Sequence, residues 1–72
     1  MTKLTMWMIV DNHYFLGKCT RKFLTAANVW VTTDAWKLIW FFSKKKLTYE
    51  ALDAMPIKRT TMHVEAIDIT VD

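Results

Sequence analysis

Cysteine, glycine, proline and serine each occur only once in this chain of 72 residues. The single cysteine, Cys19, excludes an internal disulfide, and no second cysteine stands near it to complete a zinc-type pair. One glycine and one proline exclude a low-complexity or linker-rich chain. The longest apolar stretch, residues 35–42, is interrupted by Lys37 and is far shorter than the roughly 20 residues of a membrane span. We therefore expect no metal, no cofactor and no membrane association.

Apolar and aromatic side chains are abundant: 53% of the residues are hydrophobic, and four are tryptophans. Because each aromatic side chain can bury roughly 150–250 Å², the chain has the material for a core without a disulfide. At this length we expect a single domain over residues 1–72, near the lower limit for independent folding. The free thiol and the absence of a signal-peptide pattern predict a soluble, cytoplasmic protein.

The N-terminal half shows strand patterns. Residues 3–10 alternate with period two, Asp11-Asn12 is typical of a turn, and residues 13–16 would form the returning strand. Gly17 would mark a bulge or the end of that strand. Residues 19–24 could continue the sheet, 25–28 predict a turn, and the β-branched and aromatic residues 29–33 predict another strand.

Residues 35–43, with the sequence AWKLIWFFS, fit two structures equally well. As a helix, the segment would have Thr33 as its N-cap, Asp34 in its first turn and Lys44–Lys46 at its C-terminal end, in agreement with the helix dipole. As a strand, it would be the buried partner of residues 29–33. Because the segment is apolar on nearly every side, its periodicity cannot distinguish the helix from the strand.

The C-terminal third predicts one helix and one strand. Thr48 is a good N-cap, Leu47 and Leu52 stand at the positions of a hydrophobic staple, and Pro56 ends the helix 48–55. Residues 59–71 alternate as in a strand, but the apolar phase shifts by one residue at Ala66, which predicts a β-bulge or a bend there.

These elements predict an α+β fold with a small, mostly antiparallel sheet of four or five strands and one or two short helices. If residues 36–42 form a strand, the order β-β-β-β-α-β suggests a small SH3-like barrel. Such a fold would not by itself identify the function.

The sequence has no motif for catalysis. It contains no Gly-x-Ser-x-Gly, no phosphate-binding glycine loop and no His-Glu-x-x-His. Cys19 with His13 or His63 as its base is the remaining alternative, but a lone thiol is far more often without a catalytic role. We therefore expect that the protein is not an enzyme and that it has no catalytic residues.

The net charge of +3 is unevenly distributed, since all ten basic residues precede residue 62 and three acids follow it. The basic residues form three groups along the chain: Lys18, Arg21 and Lys22; Lys44–Lys46; Lys58 and Arg59. Such groups can keep an apolar protein soluble or can bind a polyanion. Aromatic residues on a strand surface can also stack on bases, and Trp7, Tyr14, Phe15 and Trp30 could do so, although such spacings are also typical of a core.

The stretch LTYEALDAMPIKRTTMHVEAI resembles the second and third helices of helix-turn-helix proteins. The resemblance implies a positioning helix that opens at Leu47 and a recognition helix that begins with residues 58–61. Two features depart from the family: Met55-Pro56 replaces its glycine turn, and the apolar position of the third helix lies one residue away.

We expect a small non-enzymatic protein-binding module, an inhibitor or adaptor acting by surface occlusion, as phage and mobile-element proteins of this size often are. A short chain can hardly cover both sides of an apolar segment such as 35–42, so we expect a protein partner, self or other, and a homodimer. The alternative is nucleic-acid binding through 44–46 and 58–59. The candidate partner-binding residues are Trp36, Trp40, Phe41, Lys44, Lys45, Lys46, Lys58 and Arg59.

Overall fold

The computed structural model describes residues 2–56 and 58–71 and has an α+β fold. Strands β1 (Thr2–Phe15), β2 (Lys18–Leu24), β3 (Trp30–Val31) and β4 (Met62–Val71) form one antiparallel sheet in the order β3-β2-β1-β4. A 3₁₀-helix (Thr33–Leu38) and helix α1 (Lys45–Asp53) lie between β3 and β4 in the chain. The predicted fold class is confirmed. The sheet is not closed, so the SH3-like barrel stays an unconfirmed prediction.

The first hairpin turns later than the sequence pattern suggested. The turn predicted at Asp11-Asn12 is wrong, because β1 runs through these residues without interruption and the chain reverses at Leu16-Gly17. Both turn residues have a positive φ, 50° and 77°, as a type I′ turn requires. Asp11 is buried in the strand, where its carboxylate accepts a hydrogen bond from the Thr61 hydroxyl and lies 3.0 Å from Arg59 Nε.

The ambiguous segment 35–43 combines both predicted structures over shorter lengths. Its first part belongs to the 3₁₀-helix, which begins after Thr32 rather than at a Thr33 cap. The chain then extends beside the sheet, with single bridges from Ile39 to Thr25 and from Phe42 to Trp7. It occupies the place beside β1 that β2 leaves free beyond Leu24. Neither a helix over 34–46 nor a complete strand over 36–42 is formed.

Helix α1 begins three residues before the predicted start. Lys44 is its N-cap, and Thr48 is fully buried within the helix, where its hydroxyl donates to the Lys44 carbonyl at 3.0 Å. The predicted Thr48 cap is therefore wrong. Leu47 is exposed and forms no staple, whereas Leu52 is half-buried against the core. The helix ends at Asp53 with Ala54 as its C-cap, ahead of Pro56 as expected.

Strand β4 has no bulge. Its register with β1 is continuous from Thr2 opposite Val71 to Asp11 opposite Met62. The shift in apolar phase arises because the two ends of β4 contribute to opposite faces of the sheet: Met62 and Val64 lie on the face of Ile9, while Ile67 and Ile69 lie on the face of Met8. Since β4 stands where a recognition helix would be, the helix-turn-helix is not formed.

Both faces of the sheet carry apolar clusters. On the α1 face, Ile9, Leu24 and Phe42 pack together and against helix α1. On the opposite side, which we call the 3₁₀ face, Met8, Val10, Phe23 and Ile39 form a second cluster. A core divided between two faces leaves each of them only partly covered, so apolar surface remains exposed at the margins.

Candidate protein-binding surface

The β1–β2 hairpin ends in three consecutive apolar residues that are exposed to solvent. Tyr14, Phe15 and Leu16, which we call the hairpin tip, are 65%, 67% and 86% exposed. The tip projects because β4 pairs with β1 only as far as Asp11 and β3 pairs only with the end of β2. Side chains alternate in a strand, so Tyr14 and Phe15 point to opposite faces and the tip is apolar on both sides.

Leu16 occupies an unfavourable backbone conformation. Its φ of 50° lies in the left-handed region, where the Cβ of an L-residue approaches the backbone at a cost of about 1 kcal/mol. A type I′ turn favours Asn, Asp or Gly at this position. The side chain gains no buried contact in return, since it is almost fully exposed. Leu16 therefore combines an apolar side chain, near-complete exposure and an unfavourable backbone conformation.

The sequence reasoning missed the hairpin tip. It placed all three residues within a returning strand, considered Tyr14 and Phe15 only for base stacking, and named none of the three for protein binding. The chain's one glycine, Gly17, was the available signal, because a two-residue turn with positive φ needs such a residue. The signal was masked by Asp11-Asn12, whose side chains are typical of turns.

Charged residues surround the base of the hairpin on the 3₁₀ face. Arg21 on β2 and His63 on β4 both contact the carboxylate of Glu65. Burial of Glu65 by itself raises its pKa, but the hydrogen bonds from His63 and Arg21, with the charges of both groups, outweigh it and lower the pKa below the usual value. This cluster therefore links β2 to β4 across β1 at the base of the hairpin.

Two of the three predicted aromatic site residues lie together on the 3₁₀ face. Trp36 and Phe41 line an apolar cleft of about 230 Å³, together with Ile67 and Ile69 of β4. Trp40 lies on the α1 face instead, where its ring is 4.4 Å from that of Phe42. The three side chains therefore do not form one surface.

The predicted basic residues are divided in the same way. Lys44–Lys46 begin helix α1, whereas Lys58 and Arg59 follow its far end. A helix of this length separates the two groups by roughly 13 Å. Lys58 Nζ is 4.0 Å from Asp53 Oδ1, and Arg59 is paired with Asp11 and stacked on Trp30 at 5.8 Å. The two groups thus lie at separate places on the α1 side of the molecule.

Cys19 is exposed and stands opposite Tyr14 in the β1–β2 ladder. His13 neighbours Tyr14 in β1, so its side chain points to the other face of the sheet. The Cys19–His13 pair needed for a nucleophile is therefore not formed. Within residues 2–56 and 58–71, no three His, Cys, Asp or Glu side chains are grouped so that they could hold a metal ion.

Across the described part of the chain, no helix is both long enough and apolar enough to cross a membrane. No family model matches the chain, and no match was found among curated proteins or solved structures.

Proposed function

We propose that the protein is a small non-enzymatic protein-binding module, an inhibitor or adaptor that acts by occluding a surface of its partner. The hairpin tip is its principal contact. The observation that supports this is the exposure of Tyr14, Phe15 and Leu16 together with the left-handed φ of Leu16. Three consecutive apolar residues are costly to leave in water, and selection for folding alone would replace Leu16.

A projecting apolar hairpin fits a concave partner surface. Burial of a single large apolar side chain contributes about 1.5–3 kcal/mol, so a groove that covers three of them can support a specific complex. Lys18, the first residue after the turn, is exposed beside the tip. We therefore expect an apolar groove with carboxylates at its rim, where the lysine would accelerate association.

Affinity capture from cells of the source organism tests the proposal, with Leu16→Asn as the decisive variant. The expected result is that wild type retains a partner and that Leu16→Asn loses most of it while remaining fully folded. Leu38→Asn is the matched control, because Leu38 is a similarly exposed apolar residue on another element. It should retain the partner.

Two other outcomes would contradict the proposal that the hairpin tip binds a protein partner. Loss of the partner in Trp36→Ala, with binding intact in Leu16→Asn, would move the interface to the cleft on the 3₁₀ face. Cosedimentation of wild type with anionic lipid vesicles, abolished by Leu16→Asn, would show that the tip enters a membrane rather than a protein groove.

Nucleic-acid binding is the second candidate, and Lys44–Lys46 support it. Within the described residues, no carboxylate lies within 4.0 Å of these three lysines. Lys45 Nζ lies 5.5 Å from the Trp7 ring and 5.8 Å from the Tyr49 ring, so cationic and aromatic groups meet at this corner. Such a corner can contact phosphates and a stacked base.

A salt titration of binding to a short random duplex tests this candidate. If the lysines contact phosphates, changing all three to Ala should reduce the log–log salt slope by roughly 2–3 units. Weak binding with the same slope in both proteins would exclude the lysines as a nucleic-acid site.

A further inference from the structure

Strand β4 is a long, regular edge of the sheet. It is the last strand in the order β3-β2-β1-β4 and extends over ten residues. Natural edge strands are commonly blunted by proline, a bulge or charged side chains, above all lysine. The two carboxylates of β4, Glu65 and Asp68, are bound by Arg21 and His63 and by Thr5. The sequence MHVEAIDITV has neither proline nor lysine, and its register with β1 contains no bulge. A long and regular edge of this kind is a template for another strand.

The hydrogen bonds of β1 show which backbone groups of β4 are free. Trp7 exchanges both of its backbone bonds with Phe42, at 2.8 and 2.7 Å, so it bonds away from β4. Its partner Ala66 must then direct its N–H and C=O outward. The same alternation along the strand directs outward the backbone groups of Val64, Ala66, Asp68 and Thr70.

We propose that two copies of the chain pair through β4 in an antiparallel homodimer with Ile67 on the twofold axis. In this register Ala66 of one copy is opposite Asp68 of the other, and Val64 is opposite Thr70. Every outward N–H and C=O group of these four residues is then bonded. The two sheets become one continuous sheet through both copies.

Neighbouring registers are poorer. With Asp68 on the axis, two carboxylates would stand directly opposite each other, which is destabilising. With Ala66 on the axis, Thr70 would be opposite Met62, whose N–H is already bonded to the Arg59 carbonyl at 3.0 Å. That register would bond the Met62 carbonyl instead of the Thr70 carbonyl, and it would place Ile67 directly opposite the carboxylate of Glu65 in the other copy. The Ile67 register bonds all the outward groups of Val64, Ala66, Asp68 and Thr70, and it opposes neither two carboxylates nor Ile67 to Glu65.

Side chains agree with the same register. Ile67 of one copy would be opposite Ile67 of the other in a non-hydrogen-bonded pair, where side chains approach most closely. It is 38% exposed in the single chain and is the apolar residue nearest the axis. Beside it, the apolar cleft of Trp36, Phe41 and Ile69 would continue across the interface. The axis reverses the strand direction, so the two hairpin tips would lie at opposite ends of a bivalent dimer.

Sedimentation equilibrium on the full chain tests this proposal. We expect a dimer at micromolar concentration for wild type and a dissociation constant raised by at least about a hundredfold in Ile67→Lys, since two ammonium groups would meet on the axis. Leu4→Lys is the matched control: Leu4 is 48% exposed on the same face but lies in β1, away from the edge. It should remain dimeric.

Ala66→Pro gives a second variant if Ile67→Lys fails to fold. The Ala66 N–H points outward, so proline removes a dimer bond while keeping the bonds between β1 and β4. Amide exchange adds an independent readout. On dilution of wild type to the monomer, the amides of Val64, Ala66, Asp68 and Thr70 should lose protection, whereas Glu65 and Ile67 should keep it.

If wild type remains monomeric at about 100 μM, the proposal is overturned. A dimer whose dissociation constant Ile67→Lys leaves unchanged would also overturn it. Dissociation by both Ile67→Lys and Leu4→Lys would instead show two copies packed through their 3₁₀ faces. The dimer does not depend on the proposed function, because Leu16→Asn should abolish partner capture and leave the dimer intact.

Discussion

Leu16 offers a direct test of stored backbone strain at the scale of one residue. Its φ of 50° suits asparagine better than leucine, and Leu16→Asn would create the Asn-Gly pair that type I′ turns prefer. Since the leucine side chain is exposed, its loss should remove little packing. We expect the free energy of unfolding to rise by about 0.5–1 kcal/mol in urea denaturation. A decrease would mean that the leucine packs on the hairpin.

Asp11 is a buried carboxylate whose partners come from the segment before β4. The Thr61 hydroxyl and the Arg59 guanidinium both bind it, and thereby fix that segment against β1. Asp11→Ala would leave both partners unbonded, so we expect a loss of about 1–3 kcal/mol in the free energy of unfolding. Asp34→Ala, at an exposed position, should cost less than about 0.5 kcal/mol. Equal losses in the two variants would show that the Asp11 contacts contribute nothing.

Glu65 should make the stability depend on pH. Its pKa is lower in the folded protein than in the unfolded chain, despite burial, because His63 and Arg21 bind the carboxylate. The contribution is therefore present above the unfolded pKa and is lost as pH falls through the folded pKa. In urea titrations, wild type should exceed Glu65→Gln in stability at neutral pH, and the difference should shrink in acid. A difference that is constant with pH would contradict this.

At the scale of elements, helix α1 is held mainly by its contact with the sheet. Leu52 is half-buried against the cluster of Ile9, Leu24 and Phe42. We expect Leu52→Ala to lower the free energy of unfolding by about 1–3 kcal/mol, near the lower end for a leucine because the site is only partly enclosed. Leu47→Ala, on the exposed side, should change it by less than about 0.5 kcal/mol. Comparable effects would mean that the helix presents another face.

The elements predicted from the sequence were those whose signal is local. The turn at 25–28 forms, with Asn28 at a φ of 61°, and Pro56 follows the end of a short helix. Segment 35–43 could not be resolved, because its side chains serve two structures in succession. Ile39 and Phe42 occupy sheet-like positions that depend on Thr25 and Trp7, and a pattern within the segment cannot reveal such distant partners.

The errors in the strands have the same origin. Asp11 looks like a turn residue until Arg59 and Thr61, about 50 positions later, supply its partners. The phase shift in β4 looked like a bulge because one covered face was assumed, whereas both faces carry apolar clusters. Of the candidate residues named from the sequence, the structure brings Trp36 and Phe41 together in one cleft. The hairpin tip was missed because the turn itself was misplaced.

At the scale of the whole molecule, β1 and β4, the first and last strands, pair along their whole shared length. Thr2 is opposite Val71, and the alternation of hydrogen bonds along β1 makes this a bonded pair. Such a pair is the natural closing position of a two-residue turn. The chain could thus be joined from Val71 to Thr2 through Asn-Gly and opened between Leu16 and Gly17, which would give the order β2-β3-α1-β4-β1.

We expect this circular permutant to fold to the same sheet. One hairpin is opened and another is closed, so the change in loop-closure entropy nearly cancels, and stability should lie within about 2 kcal/mol of wild type. Opening the joined chain between Ile9 and Val10, both fully buried, should prevent folding. Urea denaturation with amide exchange measures both variants. If the Leu16–Gly17 permutant shows no cooperative unfolding while residues 2–71 in their natural order unfold cooperatively, folding requires an uninterrupted β1–β2 hairpin.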